Sequence, residues 1–157
     1  MSIKNLTKAG LGGAVLALGL AGQPAVGDQA TVIELTQTGC QFVESENGRD
    51  HGFQTTGKAD CEKINAETGA ERLAEAKTIT LKPGKYIFRV TNRNVPYGLG
   101  FWLRGDGLLG RATLPSVSGG GLDQGVTKDY EVTLKPGDYL YSCPLNPTPD
   151  YKLVVEG

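Results

Sequence analysis

The stretch that decides the fold is Leu134-Lys-Pro-Gly-Asp-Tyr139-Leu-Tyr141-Ser-Cys143-Pro-Leu-Asn146-Pro-Thr-Pro149-Asp-Tyr151-Lys-Leu-Val-Val-Glu-Gly157. A Pro-Gly turn leads into a strand with alternating aromatic residues. A cysteine, a short proline-rich loop and a closing valine strand follow. Proline presets the turn and glycine supplies a positive φ. The motif Leu-Lys-Pro-Gly-(Lys/Asp)-Tyr occurs twice, at 81–86 and 134–139, and each copy is expected to join two antiparallel strands.

Working outward, Thr31-Val-Ile-Glu-Leu-Thr alternates apolar and polar residues and reads as a first strand. Further strand patterns lie at 78–81, 86–91, 99–103 and 128–134, the last preceded by the glycine-rich Ser118-Gly-Gly-Gly-Leu122. Several short strands at this spacing predict an all-β Greek-key sandwich. Residues 37–77 are polar and charged. Asp60 is placed to cap a short turn, and Thr68-Gly-Ala-Glu71 has capping-box spacing ahead of Arg72–Lys77. This segment is too poor in apolar residues for its own core, so it reads as a partly helical insertion after the first strand.

Three cysteines are present: Cys40, Cys61 and Cys143. Cys40 and Cys61 flank one polar segment and are natural disulfide partners. Closing such a loop stabilises a fold by about 3 kcal/mol in the chain-entropy picture. Cys143 is left odd.

Lys4 and Lys8 precede the apolar run Leu11–Ala21, and Ala25-Val26-Gly27 offers small residues for a signal peptidase. The run falls short of the roughly 20 residues of a membrane span, so cleavage is expected and no span is assigned. Gln23 stands where a lipoprotein signal needs cysteine. The expectation is a signal peptide over 1–27, a single domain over 28–157 and a periplasmic address. The chain has 16 Lys+Arg and 17 Asp+Glu. Without Lys4 and Lys8 the balance is 14 against 17, a net of −3, which gives no argument for nucleic acid. Lys82, Lys85, Arg89, Arg93, Arg104 and Arg111 read as outward positions of strands and loops.

The segment from 78 to 157 resembles the cupredoxin superfamily, and in particular its small periplasmic members with an amicyanin-like short ligand loop. In such proteins the loop reads Cys-x-x-His-Pro-x-Met and runs into a Lys-Val-Val-Val strand. Here Cys143 falls on the ligand cysteine, Asn146 on the histidine, Pro147 on the following proline and Pro149 on the methionine. The family's upstream histidine follows proline in an Asn-x-x-x-x-Pro-His stretch. This chain has Asn92-Arg-Asn-Val-Pro96 followed by Tyr97. The resemblance therefore implies a cupredoxin sandwich with three of four copper ligands replaced, at Tyr97, Asn146 and Pro149.

A type-1 copper site needs one thiolate and two imidazoles. Proline offers no side-chain donor, and an amide is a poor substitute for imidazole. His51 is the chain's single histidine, and Met1 would leave with the signal. Cys143 is the first candidate metal ligand and His51, in the polar loop Gly48-Arg-Asp-His51-Gly, a remote second. Tyr97 and Tyr151 are placed to fill the vacated pocket, and Asn146 to hold the loop through backbone hydrogen bonds. The glycines at 119–121 lack the Lys-Ser/Thr of a phosphate loop, and no nucleophile–base pair has support, so no enzyme is expected. Trp102 is assigned to the core. Leu108-Leu109, in a glycine-rich loop beside the candidate site, is a candidate docking patch. The function expected is a non-enzymatic periplasmic binding or accessory module that meets a protein partner through its loop end. No resident cofactor is expected. The alternative is a copper-binding or copper-carrier protein using Cys143, with one-electron transfer behind it.

Overall fold

The computed structural model describes residues 29–157. The signal-peptide assignment over 1–27 lies outside the described residues. Nine strands form two sheets: β1 (Thr31–Thr38), β2 (Gln41–Phe42), β3 (Ile79–Leu81), β4 (Gly84–Asn92), β5 (Leu99–Gly105), β6 (Val117–Leu122), β7 (Thr127–Leu134), β8 (Gly137–Ser142) and β9 (Tyr151–Val155). One sheet has the order β2-β1-β4-β7 and the other β3-β9-β8-β5-β6. Among the described residues there are also two α-helices, α1 (Lys58–Glu75) and α2 (Gly107–Thr113), and a 3-10 turn at Glu44–Glu46. The all-β sandwich and the partly helical insertion are as expected.

The period-2 pattern places the core. In β4, Tyr86, Phe88, Val90 and Asn92 are buried and the residues between them are not. Phe42 from the insertion also enters the core, edge-on to Phe101, Tyr141 and Tyr151 at 6.1, 5.6 and 6.0 Å. The insertion is thus stitched into the sandwich by an aromatic side chain as well as by chain connectivity.

The two repeats differ from expectation. Leu81–Tyr86 connects β3 to β4 and Leu134–Tyr139 connects β7 to β8, but each pair lies in different sheets. They are corners between sheets rather than hairpins. Gly84 and Gly137 take φ of 159° and 151°, conformations that L side chains rarely adopt. The repeat's tyrosine fastens each corner: Tyr86 donates to the Lys82 carbonyl at 2.7 Å and Tyr139 to the Lys135 carbonyl at 2.9 Å.

Two further expectations change. α1 is one continuous helix, with Thr68 inside it rather than at its start. The helix begins earlier because Asp60 reaches back to the Thr56 N–H at 2.7 Å and hydroxyl at 2.9 Å. Thr68 instead bonds the Ile64 carbonyl. Trp102 is on the outer face of β5, half-buried, with the Arg104 guanidinium 4.1 Å from its ring. Arg104 is not a solvated outward cation either. It is buried and bonds Ser142 and Asp150.

Candidate functional site

The site at the loop end begins where β8 stops. Cys143 is the free cysteine and is 1% exposed. Its sulfur accepts the Asn146 N–H at 3.2 Å and the Gly100 N–H at 3.4 Å. Burial pushes the thiol up, against the lowering effect of the Gly100, Asn146 and Leu145 N–H groups. The resting group is a buried neutral thiol.

Asn146 is fully buried and organises the pocket. Its amide donates to the Thr38 carbonyl at 3.0 Å, and its oxygen accepts from the Cys40 N–H at 3.2 Å. The Tyr97 hydroxyl donates to the same oxygen at 3.1 Å and also bonds the Thr55 hydroxyl at 3.0 Å. Cys61 Sγ lies 2.9 Å away. That sulfur is in the Cys40–Cys61 disulfide and carries no proton, so this is a close sulfur–oxygen contact. Burial raises the Tyr97 phenol, which stays protonated. Pro149 is buried and contributes shape alone. The expected grouping of Cys143, Tyr97 and Asn146 is present, and the disulfide is part of it.

The insertion lies over this end. Asn65 on α1 donates to the Pro147 carbonyl at 2.6 Å, tying helix to loop. Thr55, before α1, meets Tyr97. Leu145 remains 48% exposed between these contacts and the bare glycines of β6.

His51 is committed elsewhere. Its Nε2 lies 2.6 Å from Glu46 Oε2, and its ring stacks on Phe53 at 5.2 Å. Glu46 is the hub of a second, charged network. Arg72 from α1 donates to it through Nε at 3.1 and 3.0 Å and through a terminal nitrogen at 2.6 Å. Tyr151 from β9 also donates to it. Arg72 further reaches the Cys40 carbonyl at 2.9 Å and the Asn65 oxygen at 2.8 Å. Burial alone raises the Glu46 carboxyl, but Arg72, Tyr151 and His51 outweigh it and hold it below the usual carboxylate range. Burial and the Glu46 charge push Tyr151 far up. Tyr151 therefore does not line the Cys143 pocket as expected; it anchors the insertion. The sequence reading missed Glu46 and Arg72, because two charges 26 residues apart have no spacing signature. The Asn65/Arg72 pair, two helical turns apart, was the only visible hint.

The residues around Cys143 do not fit a type-1 copper centre. The neighbouring side chains offer a phenol, a fully engaged amide and a proline, and His51 is bonded to Glu46. Among the described residues no cluster of three His, Cys, Asp or Glu could hold a metal.

No protein-family model and no curated protein matches the sequence. Among solved structures, the chain is similar to auracyanin B, a cupredoxin, with a TM-score of 0.50 and 14% identity. The match covers 82% of this chain and 90% of that one. The fold is cupredoxin-like. At that identity the likeness speaks for the fold alone.

Leu108-Leu109 is not beside this site. It lies on α2, beyond the far end of β5, where Gly105 pairs with Tyr139 near the start of β8. Cys143 follows the other end of β8.

Proposed function

We propose that this chain is an exported, periplasmic, non-enzymatic accessory protein that has kept a cupredoxin-like sandwich, replaced its metal ligands and docks a protein partner through its loop end. The observation that carries this reading is Asn146. At the histidine position of the resemblance stands an amide whose hydrogen bonds run to Thr38, Cys40 and Tyr97. The position that would hold a metal ligand now fastens the insertion to the loop. Cys143 beneath it serves as a small apolar filler and N–H acceptor. The surface left for a partner is centred on Leu145, with Pro144 and the glycines of β6 beside it. An exposed apolar side chain beside bare glycines suits a protein contact.

The test is the metal content and visible spectrum of the protein exported in copper-supplemented medium, beside Cys143→Ser. No copper in either form supports the accessory reading. About one copper per chain, lost in the variant, replaces it with a copper-carrier reading, and an intense thiolate-to-copper band restores electron transfer. Docking is tested separately with a photo-crosslinking residue at the neighbouring exposed position 144. A discrete adduct that Leu145→Arg abolishes supports the loop end as the contact; an adduct that persists places the contact elsewhere.

A further inference from the structure

The pole opposite Cys143 carries the largest exposed apolar feature of the described residues. Leu108 and Leu109 are 91% and 77% exposed. They are presented on a fixed element. A Cβ at Gly105 would collide with the Gly110 carbonyl, so α2 meets β5 backbone to backbone through its glycine. Leu114, the C-cap of α2, packs over Gly137, and Asp106 caps the other end. With the helix docked by Gly110 and its cap, the two leucines are left facing outward.

The start of β1 lies at the same pole. Thr31 pairs with Tyr86, two residues into β4, and Gly84 pairs with Leu134 just before the Lys135-Pro-Gly corner that leads to Gly137. The chain therefore enters β1 at Thr31 on the α2 side. Upstream in the sequence are Lys4, Lys8 and the apolar run Leu11–Ala21. We infer that the α2 pole is the membrane-facing pole of the full-length chain: while the leader is attached, Leu108 and Leu109 dip into the lipid interface and the Cys143 pole points away from the bilayer. The inference rests on the reading of residues 1–27 as an export leader, and it adds an orientation that reading does not contain.

The occupant follows from what the pole offers. Charge is nearly balanced there, with Lys82, Lys85, Arg111 and Lys135 against Asp106, Asp138 and Glu156, and Lys82 pairs with Glu156. An oppositely charged protein surface has little to grip. Two projecting leucines at the pole where the chain enters β1, downstream of the apolar run Leu11–Ala21, match a lipid interface, where apolar side chains sit at headgroup depth. Headgroup charge then contributes little to the seating of this pole, and its depth is insensitive to salt.

The experiment uses the full chain with Cys143→Ser, carrying an environment-sensitive fluorophore at Leu108→Cys or, as the opposite-pole control, at Leu145→Cys. Vesicles of phosphatidylethanolamine and phosphatidylglycerol contain a lipid-bound spin-label quencher. The expected result is flotation with the vesicles, quenching at 108 and none at 145. Flotation with equal quenching at both positions, or none at 108, overturns the orientation and leaves the leader reading standing. Failure to float removes the leader reading and the orientation with it. Leu109→Gln, an exposed change that leaves folding intact, is expected to weaken quenching at 108; unchanged quenching counts against insertion of the pair.

Discussion

Two buried polar networks fasten the same insertion to the same sandwich, and they do it with different chemistry. The Asn146 network is uncharged: one amide satisfies a carbonyl, an N–H and a phenol at the loop end. The Glu46 network is charged: one carboxylate gathers an arginine, a histidine and a tyrosine from three segments. A neutral network costs little to bury once its bonds are made. A charged one is held only while every partner stays in place, because a buried charge left alone is far more costly. The first should therefore break mildly and ignore pH, and the second should break severely and follow it.

The largest effect is expected from Arg72→Met. It leaves Glu46 buried without its cation and removes the bond to the Cys40 carbonyl. Breaking one side of a buried pair costs about 3–5 kcal/mol, read as a lowered urea midpoint. Replacing both groups together, Glu46→Gln with Arg72→Met, should recover part of that loss. A double variant as unstable as the sum of the singles would mean that the two act independently.

The Cys40–Cys61 bond comes next. Cys40→Ser with Cys61→Ser should cost about 3 kcal/mol by unfolded-chain entropy, with a further loss at Asn146, whose oxygen touches both residues. The wild-type protein should resist a small dithiol until it unfolds, since both cysteines are fully buried. Rapid reduction of the native protein would show that the insertion opens on its own.

Asn146→Ala should cost about 1–3 kcal/mol, through a stranded Thr38 carbonyl and Cys40 N–H. Its cost should be flat across neutral and mildly acidic pH. The Glu46 network behaves differently. Its carboxyl titrates lower in the folded protein than in the unfolded chain, so the stability it adds is fully present above the unfolded carboxylate range. That stability is lost as pH falls through the folded value. Glu46→Gln should flatten the acid limb of the stability curve, whereas Asn146→Ala should shift the whole curve down in parallel. Parallel curves for both variants would erase the distinction between the networks.

The smallest effect on stability belongs to Leu145→Ser, an exposed change within about 0.5 kcal/mol of wild type. It bears on the comparison because Leu145 follows the buried Cys143 by two residues yet faces solvent. If this variant unfolded the protein, the loop end would be part of the core rather than a surface for a partner.

The sandwich was legible from residue 78 onward because its signals are local. Alternation in β4, the valine run of β9 and the two Pro-Gly corners each state their own conformation within a few residues. The same locality explains the errors. The corner motif fixes a turn but not which sheet receives the next strand. Leu108-Leu109 announces exposure but not at which pole. Thr68-Gly-Ala-Glu71 has the spacing of a helix start, yet the helix had already begun ten residues earlier, at Lys58.

By itself the sequence determined the all-β frame, the pairing of Cys40 with Cys61 and the odd Cys143, because each depends on residue type and short-range order. Only the tertiary structure decided where the insertion lies, that His51 belongs to Glu46 rather than to Cys143, and that Tyr151 anchors instead of filling. The seats of the insertion and of Tyr151 depend on contacts between segments 26 to 108 residues apart, as between Arg72 and Glu46 or Asn146 and Thr38. His51, only five residues from Glu46, is committed there because Arg72 and Tyr151 hold that carboxylate in place. Such contacts exist only once burial makes an unpaired polar group too costly to leave alone.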